Sequence, residues 1–156
     1  MFAFLRRFAW FRHDDSPRAA ALRAISGGDF EQGERLLTVL IEQQTSLPLR
    51  ERAFLHNKRG ITRVHRGARD AAREDFETAL TLVNNYPPAL TNLGNMHFEE
   101  ERIDEAIDQY EAALRADDEY ATAHFNLSAA YKRVGRHADA VREFRRSQRG
   151  KKRRLV

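Results

Sequence analysis

Apolar side chains between residues 87 and 116 recur at helical spacing in two successive runs. Leu90, Leu93 and His97 share one face of the first run, and Ile103, Ala106, Ile107, Tyr110, Ala113 and Leu114 share one face of the second, the three-to-four-residue recurrence of amphipathic helices. A polar junction near Glu101 predicts a turn between them. The same pair of runs appears on either side, and there the junction holds Gly67 and Gly135, residues suited to ending a helix with positive φ. The pattern predicts a succession of helical hairpins.

The hairpins repeat. Gly60, Gly94 and Ser128 lie 34 residues apart, as do Ala72, Ala106 and Ala140, then Phe76, Tyr110 and Phe144, then Ala79, Ala113 and Ser147. A glycine inside a helix costs about 1 kcal/mol against alanine, so Gly60 and Gly94 call for a packing reason. Close approach of the second helix through Ala72 and Ala106 supplies one. The aromatic column then fills the gap to the adjoining hairpin, each buried ring contributing about 1.5–3 kcal/mol.

These columns resemble the tetratricopeptide repeat, which places Leu-Gly and an aromatic on a first helix and Ala followed four residues later by an aromatic on a second. Leu93-Gly94 with Ala106 and Tyr110 is the best copy; Asn126-Leu127-Ser128 with Tyr131, Ala140 and Phe144, and Arg59-Gly60 with Ala72 and Phe76, are the others. The expected organisation is three repeats over residues 53–148, preceded by a degenerate one over 14–52. In that unit Ser16-Pro17 reads as an N-cap and first helical residue. Gly28 marks its turn, Gly33 and Leu37 take the Ala and aromatic places, and five extra residues fall near Leu47 to Arg52. The resemblance implies an all-α, right-handed superhelical array.

It also implies a concave wall, built from the first helices, that binds peptides or protein segments. Spacing places Thr91, Asn95 and Phe98 opposite the core face of the best first helix, with Asn57, Ile61 and Val64 before them and Phe125, Ala129 and Lys132 after. Asn57, Asn92, Asn95 and Asn126 are candidates to bond a peptide backbone, and Phe98 and Phe125 to hold an apolar anchor. Ile61, Val64 and Phe98 have an alternative role in packing against the neighbouring first helix. The cationic clamp that related chaperone-tail binders use is absent: the third first helix offers Thr122 and Asn126 where Lys and Arg are expected. The expected function is a non-catalytic adaptor or scaffold with a protein or peptide partner.

Charge changes the picture at the ends. The 156-residue chain carries +4 overall. Residues 142–154 hold eight basic side chains and one acidic, whereas residues 99–119 hold ten acidic and two basic. A −8 block mid-chain repels phosphate, so nucleic acid is not an expected partner. The basic tail comprises Arg145, Arg146, Arg149, Lys151, Lys152, Arg153 and Arg154, and it solubilises the end of the array or tethers it to an anionic surface. Residues 1–13 carry five large aromatics, three arginines and no acid. They read as a cap on the first repeat, a segment lying on a membrane, or an assembly segment entering the groove of another copy to form a homo-oligomer. The expected location is cytoplasmic, with peripheral membrane contact through that segment.

Catalytic signatures are missing. The chain has no Cys, no P-loop, no G-x-G-x-x-G, no H-E-x-x-H and no G-x-S-x-G. His13, His56, His65, His97, His124 and His137 are scattered, and His56 and His124 share a column with Leu90, which predicts packed histidines, none beside a carboxylate at a diagnostic spacing. No cofactor or metal is expected.

Overall fold

The computed structural model describes residues 16–43 and 45–153, with side chains as far as Arg149, and every regular element among them is an α-helix. Eight helices form four hairpins: α1 (Pro17–Ser26) with α2 (Phe30–Gln43), α3 (Leu49–His65) with α4 (Arg69–Leu82), α5 (Pro87–Glu99) with α6 (Ile103–Ala116), and α7 (Ala121–Arg133) with α8 (His137–Arg153). Each hairpin turns through one left-handed residue. These are Gly28, Gly67, Glu101 and Gly135, with φ of 82°, 78°, 60° and 78°. Glu101 thus holds a conformation that costs a side-chain-bearing residue about 1–2 kcal/mol.

Helices α1 and α2 form the first hairpin. Ser16 Oγ accepts from the Ala19 amide at 3.1 Å, with Pro17 opening the helix. Most of the insertion after it extends a helix: α3 begins at Leu49, whereas α5 begins at Pro87, the counterpart of residue 53.

Within the next two hairpins the glycine column does what its cost requires. A Cβ on Gly60 would lie 2.5 Å from the Phe76 ring, and one on Gly94 would lie 2.5 Å from the Tyr110 ring. The ring therefore occupies the volume that the missing side chain vacates. Ala72, Ala79, Ala106 and Ala113 are fully buried alongside. In the last hairpin Ser128 fills the glycine place, and Phe144, the aromatic of that column, is 46% exposed.

Successive helices pack against one another along the chain. In addition α3 touches α5 and α5 touches α7, with no comparable contact among α2, α4, α6 and α8. First helices converge and second helices splay, so the array curves with α3, α5 and α7 on its inner wall.

Candidate protein-binding groove

On that wall α5 and α7 bring Asn95, Phe98, Asn126 and Ala129 together around an open cavity of about 240 Å³, closed by Glu99 and Tyr110. Its floor is a three-residue hydrogen-bonded unit. The Tyr110 hydroxyl donates to Asn95 Oδ1 at 2.9 Å, and the Asn126 amide donates to the same oxygen at 2.7 Å. Both lone pairs of that oxygen are thereby used. The phenol reaches the inner wall from α6 because its ring passes over Gly94. Burial, with the Glu99 charge adding to it, pushes the phenol's pKa far above its ordinary value and keeps it a donor. Tyr110 and Glu99 were not among the groove residues expected from spacing. The glycine column is the signal that would have found Tyr110, since a ring lying over a helix can emerge on its far side.

The remaining predicted residues divide. Thr91 is 1% exposed and donates its hydroxyl to the Pro87 carbonyl at 2.8 Å; Asn57 is 4% exposed and accepts the Asn92 amide at 2.9 Å. Asn57 meets the next first helix through Asn92, and Thr91 is buried, so neither is open on the groove surface. Asn92 and Asn126 spend amide protons on neighbouring first helices, so the asparagines bond one another before any ligand. Ile61 and Val64 pack against the core around Phe76 and Met96, and Phe98 packs against the core around Tyr110 and Tyr131. Ala129 and Lys132 are exposed along one line of α7. Phe125, 49% exposed, sits at the end of the array with its ring 6.3 Å from that of Phe144.

Behind the wall His56 and His124 are buried, as their column predicts, but each meets a carboxylate, which corrects the expectation that none does. His56 Nδ1 is 3.0 Å from Asp75 Oδ1, and His124 Nδ1 is 2.8 Å from Glu143 Oε2, each pair separated by 19 residues and buried. Adding 34 to one pair gives Leu90 and Gln109, and adding it again gives the other; the carboxylate column was legible in the period. Arg59 forks onto both oxygens of Asp75 with bonds of 2.8 to 3.2 Å, and Arg63 donates to Oδ2 at 2.9 Å. Arg63 also holds Glu34 at 2.9 Å. The cluster ties α2, α3 and α4 together. Burial opposes ionisation of Asp75, but hydrogen bonds from His56 and Arg59 and the charges of Arg59 and Arg63 outweigh it, holding the carboxyl below its usual range. Among the described residues, no group of three or more His, Asp or Glu is placed to hold a metal ion.

At the basic end Arg145, Arg146 and Arg149 are exposed on α8. The side chains of Lys151, Lys152 and Arg153, together with Arg154 and residues 1–13, lie outside the described part of the chain. No described helix is long and apolar enough to cross a membrane.

Residues 94–135, from the middle of α5 through α6 and α7, match the family model described as TPR repeat. That stretch carries the tetratricopeptide repeat, and the fold of the described chain is that of tetratricopeptide-repeat arrays. No curated relative matches it. Among solved structures it is similar to MamA (18% identity, TM-score 0.69), covering 89% of this chain and 78% of that one. It is also similar to pilF of Pseudomonas aeruginosa (22%, 0.73), covering 87% of this chain and 60% of that one, and to a tetratricopeptide repeat protein from Parabacteroides merdae (18%, 0.67), covering 83% and 50%. At these identities the likeness is one of fold: an all-α superhelical stack of helix-turn-helix units. Such arrays are, as a class, protein-interaction scaffolds with extended concave surfaces.

Proposed function

We propose that this tetratricopeptide protein is a non-catalytic adaptor, its residues 53–148 forming the repeats that hold a peptide or helix against the inner wall of α5 and α7. The observation that supports this is the open cavity bounded by Asn95, Phe98, Asn126 and Ala129. It offers one apolar wall, Phe98, beside amide groups that are held in place by their own hydrogen bonds, a preorganised floor for an anchor residue. Glu99 at its rim and the lack of a cation among its lining residues favour an apolar or basic anchor over a carboxylate. Ala129→Arg tests the reading without disturbing the core, because Ala129 is exposed and a long side chain there fills the cavity. Partners captured by the full chain should be lost from this variant and from Phe98→Ala, while circular dichroism stays unchanged. An identical captured set would remove the groove model.

A further inference from the structure

The last hairpin leaves open a face that the inner hairpins cover. Ile107 is 8% exposed and Tyr110 2%, because α7 lies on α6. Their counterparts one period later, Val141 and Phe144, are 50% and 46% exposed. On the first helix buried Thr91 is replaced one period later by Phe125, which is 49% exposed. The end of the array therefore repeats the apolar surface that α6 presents to α7. Helix α4 stops at Leu82 and α6 at Ala116, whereas α8 continues to Arg153, past residue 150 where the period would end it.

Charge distinguishes this face from the inner one. At the α6–α7 contact the Tyr131 hydroxyl donates to Glu111 at 2.7 Å. One period on, Glu111 becomes Arg145, while Arg115 becomes Arg149. A helix lying here as α7 lies on α6 must then offer an acceptor where α7 offers a donor. Arg142 is engaged by Asp139 and Glu143, and Arg146 faces Glu143 at 3.9 Å, but Arg145 and Arg149 meet no acid among the described residues. They flank a depression of about 350 Å³ floored by Ala138 and Val141.

We infer that this end face docks an amphipathic helix of a partner protein, with small or aliphatic residues along one stripe and carboxylates beside it that pair with Arg145 and Arg149. The aromatic segment at residues 1–13 is a poor occupant, since its three arginines would meet these two and it has no acid. The site is separate from the concave cavity.

The test uses the full chain and fluorescein-labelled synthetic helices read by anisotropy: one with an Ala/Leu stripe flanked by Glu, one with the same stripe flanked by Lys, and a Glu-rich peptide with no stripe. The Glu-flanked helix is expected to bind, at least tenfold more weakly to Arg145→Glu/Arg149→Glu, and that variant should gain affinity for the Lys-flanked helix. Phe144→Ser should weaken binding comparably, and Ala129→Arg should leave it unchanged. Absence of binding, equal binding of the stripe-free peptide or of a single-stranded oligonucleotide, or loss in Ala129→Arg would overturn the assignment. So would a mass by light scattering that rises with concentration and falls to the monomer value in Phe144→Ser, which would make a second copy the occupant.

Discussion

His56 and Asp75, on different helices of one hairpin, meet at 3.0 Å in a site where the carboxylate is 2% exposed and also accepts from Arg59 and Arg63. This buried polar cluster joins the first hairpin to the second through Glu34.

Removing the carboxylate leaves the mostly buried Arg59 guanidinium without its ion-pair partner and Arg63 paired with Glu34 alone. Asp75→Ala is expected to destabilise the array by about 3–5 kcal/mol, measured by urea denaturation. The wild-type Asp75 pKa is depressed in the fold, so its contribution is complete above the unfolded value of about 4. It is lost as pH falls through the folded value. Asp75→Asn should therefore flatten the acid limb of the stability–pH curve.

Gly94→Ala improves helix propensity yet should lower stability. The new Cβ would lie 2.5 Å from one carbon of the Tyr110 ring and 2.8 Å from the next, and that ring is only 2% exposed. A net loss of about 1–3 kcal/mol is expected, with near-ultraviolet circular dichroism reporting the displaced tyrosine.

Glu101→Gly should do the reverse. Relief of a left-handed side-chain residue exceeds the added chain entropy and the loss of the exposed pair with Arg133, for a net gain of about 0.5 kcal/mol. Thermal unfolding should shift upward by about 1–2 °C.

Tyr110→Phe keeps the ring on Gly94 and deletes only the bond to Asn95. The expected cost is about 1 kcal/mol in stability. Because Asn95 Oδ1 then has a lone pair to offer, a ligand with a donor at that point should bind the variant more tightly, which calorimetry would detect.

The hairpins, their period and the left-handed turns at Gly28, Gly67 and Gly135 were legible because helix amphipathicity and glycine placement are local signals. The groove was legible only in part. Spacing selects a helix face, but whether that face is open depends on how closely the next hairpin stacks, which is why Asn57 and Thr91 proved buried while Asn95 and Phe98 line a cavity. The His–carboxylate pairs stayed hidden for a different reason. Their members are on separate helices, and only reading the two columns together shows that 19 residues is the distance across a hairpin. Phe144 belongs to the aromatic column by period yet is 46% exposed, because among the described residues no helix lies on α8 as α7 lies on α6.

Two side-chain amide hydrogen bonds, Asn92 to Asn57 and Asn126 to Asn95, span the inner side of the curve, where α3, α5 and α7 touch. They act as tension members on a bent beam. Straightening the array stretches them first, and each is worth only about 0.5–1.5 kcal/mol. A ligand that takes over one of these amides would exchange a bond rather than add one, and in doing so would release part of the restraint on curvature. Occupancy of the groove and the pitch of the superhelix are thus mechanically linked, and small-angle scattering on a bound and a free array would read the two as one variable.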